Sequence, residues 1–428
     1  MKIRAAKSKL AGTVSVPGSK SHTIRGVVVA MMAEGESTLR QPLVSGDTLS
    51  CLDAAKAMGA RITELRSDAG LVWKIKGVNG KLNAPDGVID LGNSGTSLRL
   101  LTALAATSKG KFHFDGDHSL RGRPMQILLT ALQKLGARVT ADEGGKCPLS
   151  VTGPLRGGEA TVEGKSSQFV SALLFALPLA AEDSELNVVN LNERPYVEIT
   201  LDWLQNQGID IQVGPDLECF NIKGRQRYRA FERAIPADFS TATFAAAGAA
   251  VTGGEVSIRN LDFGDRQGDK VVFEYFERMG MVVERGSGLT TVRSQGPLRG
   301  VELDLNATPD ALPAMAVVGC FATGRTALLN VPQARIKETD RIAVMARELR
   351  ALGATVEELP DGMVVEGGAL KGGMAAQGHD DHRVVMALAI AGLGLEGGLT
   401  VDSAEAAAVT YPDFVKDFQS LGGDIALI

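Results

Sequence analysis

Six stretches of the chain repeat one pattern of apolar and polar positions. They are LDAAKAMGARI (52–62), LLTALQKLGARV (128–139), LDWLQNQGIDI (201–211), VFEYFERMGMVV (272–283), ARELRALGATV (346–356) and FVKDFQSLGGDI (414–425). In each, apolar residues recur at i, i+3, i+4 and i+7, which predicts an amphipathic helix. Each pattern closes on a glycine suited to a left-handed C-cap. A short β-branched or apolar run follows, which predicts a strand. The glycines are Gly59, Gly136, Gly208, Gly280, Gly353 and Gly422, at successive spacings of 77, 72, 72, 73 and 69. Solenoid units run to about 20–50 residues, so this period predicts a larger block of two helices and several strands. Six such blocks predict two domains of three. Helix–glycine–strand joints are common in α/β proteins, but their even spacing favours true repeats.

Other helical stretches lie between these markers, at 97–110, 167–180, 240–254 and 381–398. They are apolar nearly all round, which predicts burial. They open on Ser, Thr, Asn or Asp and most close on Gly, as helix boundaries should.

The residues ahead of the helices carry the candidate chemistry. The segments are GSKSHTIR (18–25), GNSGTSLR (92–99), RGRP (121–124), GKSSQF (164–169), NERPY (192–196), IKETDR (336–341) and HDDHR (379–383). A helix start offers unpaired N–H groups and about half a positive charge, and anions bind there. Lys20, Arg25, Arg99, Arg121, Arg123, Arg194, Lys337, Arg341 and Arg383 would add cations at those ends. Arginine suits forked contact with carboxylate or phosphate. Any one of these could be a solvated surface cation; nine at matching points predict an anion site. In KETDR, helical spacing would set Lys337 and Arg341 on one face, with Glu338 beside Arg341. Asp310 precedes an apolar helix, where it could serve merely as an N-cap.

The segment VPGSKSHTIR (16–25) does not fit a nucleotide-binding P-loop. That motif needs Gly directly before Lys, whereas Ser19 precedes Lys20 here.

Bulk properties add bounds. With 428 residues the chain is long enough for two domains. A net charge of −5 gives no support for nucleic-acid binding, so positive charge for an anionic ligand must be local. Cys51, Cys147, Cys219 and Cys320 stand far apart, which fits a reducing compartment better than disulfides or metal. No signal peptide is read at the N-terminus, and the apolar stretch 310–324 is too short to span a membrane.

Taken together, VPGSKSHTIR, GNSGTSLR, RGRPM, SSQF, RPY, PDA, KETDR, DHR and YPDF occur in an order that resembles the 5-enolpyruvylshikimate-3-phosphate synthase family, over nearly the whole chain. The resemblance implies an inside-out α/β barrel fold of two domains, each of three βαβαββ repeats, joined by a double hinge with the active site in the cleft. One domain is expected at 19–231, the other at 1–18 with 232–428. The resemblance implies transfer of the enolpyruvyl group of phosphoenolpyruvate to the 5-hydroxyl of shikimate 3-phosphate, through a tetrahedral intermediate. It implies no cofactor or metal, no nucleic-acid or membrane partner, a monomer in the cytoplasm, and inhibition by glyphosate.

Roles follow from the resemblance. Asp310 would take the proton of the 5-hydroxyl, Glu338 would exchange the proton at C3, and Lys20 would touch both substrates. Shikimate 3-phosphate would be held by Ser21, Arg25, Ser166, Ser167, Gln168, Tyr196, Asp310, Gln333 and Lys337. Phosphoenolpyruvate would be held by Asn93, Gly95, Arg123, Gln168, Arg341, His382 and Arg383. Gly95 would let the backbone approach that substrate and leave room for glyphosate.

The chain departs from the family's pattern at four places. Glu193 stands where many members have Ser; it is expected to point away from the phosphate, with Arg194 helping in its stead. Gln333 replaces an Asn, Val409 replaces a Lys that contacts phosphoenolpyruvate, and Leu100 replaces the Pro of one subgroup. Two alternatives are weighed. A UDP-N-acetylglucosamine enolpyruvyl transferase would need a reactive Cys near RGRP, and the nearest in sequence is Cys147. A non-catalytic anion-binding protein of the same fold would not need Asp310, Glu338 and Lys20.

Overall fold

A computed structural model describes residues 1–67, 70–368 and 370–428. The chain forms two compact units, Gly18–Ile235 and Met1–Pro17 with Pro236–Ile428. Each has its own apolar core. The chain passes from one unit to the other twice, at Pro17–Gly18 and at Ile235–Pro236.

Among the described residues the strands form six four-stranded sheets, three in each unit. All six share one topology: a parallel pair, then two antiparallel neighbours. In the Gly18–Ile235 unit, Val88–Asp90 runs parallel to Lys111–Asp115. That strand pairs antiparallel with Lys146–Thr152, which pairs antiparallel with Arg138–Asp142. In the other unit, Glu302–Asp304, Arg325–Leu329, Gly362–Glu366 and Thr355–Leu359 repeat that order. Each period therefore holds a strand, a buried helix, a strand, an amphipathic helix and a hairpin. All six marker glycines have positive φ, from 69° at Gly208 to 111° at Gly59. Each turns the chain from the amphipathic helix into the next strand, in a conformation glycine adopts without a Cβ clash.

Strands far apart in sequence pair within each unit, and one of them moves an expected boundary. Glu232–Ala234 pairs parallel with Glu36–Arg40, so 232–235 belong with the Gly18–Ile235 unit, not with the C-terminal half as expected. Gly18 also falls in that unit. A Cβ there would lie 2.5 Å from the Gln41 carbonyl oxygen, so only glycine fits. Ile3–Ala6 lies between Leu399–Val401 and Asp424–Leu427, completing the last sheet with the first strand of the chain.

At the centre of each unit stand three helices with little or no exposed surface. They are Lys20–Met32, Gly95–Ala105 and Ser167–Ala176 in one, and Phe239–Thr252, Leu312–Cys320 and His382–Gly394 in the other. Small residues leave room for neighbouring side chains to pack against these helices. A Cβ on Gly248 would lie 2.7 Å from Leu10 and 2.9 Å from Phe418. All nine residues of Leu312–Cys320 are buried, which is why the apolar stretch 310–324 is uniform rather than amphipathic. Among the described residues no helix is long and apolar enough to cross a membrane.

Candidate active site

Lys20 and Arg383 stand in the first turn of buried helices, and Arg341 in that of an amphipathic one, where the helix dipole disfavours positive charge. The fold accepts this by placing anions or neutral acceptors around each one.

In the Gly18–Ile235 unit, Lys20 is the first residue of its helix, and its Nζ donates to Asp47 Oδ2 at 3.0 Å. One turn later Arg25 is 1% exposed, yet the hydrogen bonds it donates go to neutral acceptors. They are Thr200 Oγ1 (2.9 Å), the Ser21 carbonyl (3.0 Å), the Tyr196 carbonyl (3.0 Å) and Ser171 Oγ (3.3 Å). Burial pulls its pKa down to about 10, against the opposing influence of Tyr196 and Glu193. Arg99 donates to Gln168 Oε1 and lies over the Phe169 ring at 5.2 Å. Arg123 donates to Asn93 Oδ1. A Cβ on Gly95 would sit 2.7 Å from Arg123 Nη1 and 3.0 Å from Arg99 Nη1. Ser166 is the N-cap of the third helix and accepts from the Gln168 N–H. These contacts bring Lys20, Ser21, Arg25, Asn93, Gly95, Arg123, Ser166, Ser167, Gln168 and Tyr196 to the starting ends of adjoining helices.

In the other unit Arg341 is the hub. It is 1% exposed and donates from Nε to Asp381 Oδ2 (2.8 Å), from Nη1 to Asp310 Oδ1 (2.7 Å) and from Nη2 to Glu338 Oε2 (2.8 Å). Arg383 Nη2 is 2.8 Å from Asp310 Oδ2 and donates to Ser240 Oγ at 2.9 Å. Asp310 thus bridges two guanidinium groups, and its side chain is not a helix cap. Burial works against its ionisation. Arg383, Arg341 and Lys337 outweigh that and hold the carboxyl well below the usual carboxylate range. Burial likewise works against the charge of Arg341, but Asp381, Glu338 and Asp310 hold its pKa above the ordinary arginine value. Buried His382 has Nδ1 4.0 Å from Asp381 Oδ1. Gln333 is buried and donates to the Asn306 carbonyl at 2.9 Å.

Several expectations need correction. KETDR is not helical: Lys337 has ψ −146°, and the helix begins at Arg341 with Asp340 as its N-cap, accepting from the Ala343 N–H at 3.0 Å. Glu338 meets Arg341 through the bend before the helix rather than through helical spacing. Glu193 does not point away. It is 1% exposed, and its Oε2 accepts from the Ser167 hydroxyl at 2.7 Å and the Ser167 N–H at 3.2 Å. Its backbone is left-handed (φ 56°), and the positive end of the Ser167–Ala176 helix attracts its carboxylate. Arg194 does not help at the phosphate position: it is an exposed side chain paired with Asp216 at 3.2 Å. Arg121 is a surface cation paired with Asp115.

Asp47, Asp381 and Ser240 also contribute to these pairings, with no role expected of them. Asp381 left a signal, because an Asp directly before a helix is a strong N-cap candidate, and it does cap His382–Gly394. Asp47 and Ser240 become visible only once the chain is folded. Burial makes three of the cysteines poor nucleophiles: it pushes the Cys147 thiol up to about 12, and Cys51 and Cys320 are raised likewise.

Comparison with known proteins gives the same picture. The profile of the family described as EPSP synthase (3-phosphoshikimate 1-carboxyvinyltransferase) matches residues 5–418. The 3-phosphoshikimate 1-carboxyvinyltransferase of Acetivibrio thermocellus is 47% identical over 100% of this chain and 99% of its own length. That of Ruminiclostridium cellulolyticum is 44% identical over the full length of both. A solved EPSP synthase from Acinetobacter baumannii superimposes with a TM-score of 0.81 at 28% identity, covering 100% of each chain. Sixfold glycine-capped repeats, cations gathered at helix starts and these full-length matches place the chain in the EPSP synthase (3-phosphoshikimate 1-carboxyvinyltransferase) family.

Proposed function

We propose a residue-level reading of the family's reaction in this chain. The enzyme transfers the enolpyruvyl group of phosphoenolpyruvate to the 5-hydroxyl of shikimate 3-phosphate and releases inorganic phosphate. The 5-hydroxyl oxygen bonds to C2 of phosphoenolpyruvate while C3 gains a proton, giving a tetrahedral intermediate. The C2–O bond to phosphate then breaks as the new methyl group loses a proton.

The observation that carries the assignment is Arg341 held among Asp310, Glu338 and Asp381, with Arg383 on the far oxygen of Asp310. Two carboxylates that can exchange protons stand beside two guanidinium groups that can grip a carboxylate or phosphate. In this reading Arg341, Arg383 and His382 hold phosphoenolpyruvate, with Asn93, Gly95, Arg123 and Gln168. Asp310 accepts the hydroxyl proton and Glu338 serves C3. Ser166 and Ser167 hold the 3-phosphate, Arg25, Ser21 and Tyr196 the shikimate carboxylate side, and Lys337 and Gln333 the ring hydroxyls. Lys20 serves both substrates. While both arginines face Asp310 it is a weak base. An anionic substrate that competes for those arginines raises its basicity when the hydroxyl must be deprotonated.

The family resemblance implies action as a monomer. The four cysteines are free, which supports a reducing compartment such as the cytoplasm.

Phosphate release, measured with both substrates and with each alone, tests the reading. Release only with both supports it. Release from phosphoenolpyruvate and UDP-N-acetylglucosamine, or none with shikimate 3-phosphate, overturns it.

A further inference from the structure

Glu193 occupies the very donors that the preceding reading gives to the substrate's phosphate. Its Oε2 accepts from both the N–H and the hydroxyl of Ser167, at 3.2 and 2.7 Å. Both residues are 1% exposed. Ser167 is the first residue of a ten-residue buried helix, so the carboxylate sits at that helix's positive end. The contact is not a cap of Glu193's own helix. Glu193 is the N-cap residue of Arg194–Asn206, but its side chain makes no capping hydrogen bond there. The chain instead holds a non-glycine residue in the left-handed region at φ 56°, ψ 42° and sends its carboxylate to a different helix. Arg25, buried among neutral acceptors, feels the Glu193 charge. A carboxylate here therefore does two things: it fills an anion position and offsets a buried cation.

We propose that Glu193 is an internal anion standing in the phosphate position of the substrate site, and that it must withdraw when shikimate 3-phosphate binds. The inference rests on the assignment of Ser166 and Ser167 to the 3-phosphate. A buried carboxylate and a phosphate cannot share two donors: like charges at that range repel, strongly so away from water. The affinity for the phosphorylated substrate is therefore lower than the donors alone would give. Glu193 also narrows the preference for shikimate 3-phosphate over unphosphorylated shikimate, because shikimate brings no anion to that end of the helix.

Glu193→Ser and Glu193→Gln test this. Glu193→Ser removes the charge and leaves a small donor; Glu193→Gln keeps size and fold should the first variant prove unstable. The expected result is a KM for shikimate 3-phosphate about tenfold lower in Glu193→Ser, with a smaller change in the dissociation constant of shikimate. An unchanged or raised KM for shikimate 3-phosphate in both variants overturns the proposal. Binding of inorganic phosphate, measured calorimetrically on wild type and Glu193→Ser, gives a readout independent of turnover. Tighter binding by the variant supports an internal anion even if wild type fails to release phosphate from the two substrates, a failure that would count against the reaction alone. Equal binding counts against the internal anion even in an active enzyme.

Discussion

Asp310 and Arg341 are joined by a 2.7 Å ion pair, and the other oxygen of the same carboxylate lies 2.8 Å from Arg383. One side chain thus links the proposed base to two proposed grips on phosphoenolpyruvate. Asp310→Asn keeps the shape but removes the base and half of the pairing. We expect kcat to fall about 100-fold or more, while circular dichroism keeps its native form because Arg341 retains Glu338 and Asp381. A kcat within a few-fold of wild type would remove Asp310 from the proton transfer.

The same pairing ties stability to acid. The folded-state pKa of Asp310 is depressed, so its contribution is present above its unfolded value near 3.8 and is lost as pH falls below it. Asp310→Asn should therefore narrow the stability gap to wild type as pH drops from 7 towards about 3. Urea titrations across that window check it; a gap that widens in acid contradicts the account.

Gly95 stands where a Cβ would press on Arg123 Nη1 at 2.7 Å and Arg99 Nη1 at 3.0 Å. A methyl group there presses on Arg123, which the account places on phosphoenolpyruvate, and on Arg99, which donates to Gln168. We expect Gly95→Ala to raise the glyphosate concentration for half inhibition about tenfold or more, with some rise in the KM for phosphoenolpyruvate. Inhibition curves for the two proteins decide it, and equal sensitivity refutes the reading of Gly95.

The repeat glycines make a prediction about stability alone. Gly59 has φ 111° and a Cβ there would lie 2.8 Å from Asn83, whereas Gly208 has φ 69° with nothing within 4 Å. Gly208→Ala should cost about 1 kcal/mol from the backbone conformation, and Gly59→Ala more. Denaturant melts of the two variants compare them; equal or reversed costs would mean that the Gly59 joint relaxes.

Much of this was legible in the chain because it is written in short-range chemistry. The six capping glycines announced the repeat, and the Ser, Asn and Asp residues before apolar runs announced the helix starts. Lys20, Arg25, Arg123, Arg341 and Arg383 stand out in the chain because cations near helix starts are physically odd. What stayed hidden depends on long-range pairing. Glu232–Ala234 goes with the wrong domain until Glu36–Arg40 is beside it. KETDR has helical spacing, but Asp340 caps a helix that starts only at Arg341, the last residue of the motif. Glu193 departs from expectation because the positive end of the Ser167–Ala176 helix attracts its carboxylate.

The most direct test of the account is to run the reaction in heavy water and examine C3 of the enolpyruvyl product by NMR, for wild type and Glu338→Gln. Addition and elimination through Glu338 predict solvent deuterium at C3 in the wild-type product, with rates of both incorporation and phosphate release depressed together in the variant. Phosphate release without deuterium at C3, or incorporation by Glu338→Gln at the wild-type rate, would contradict it.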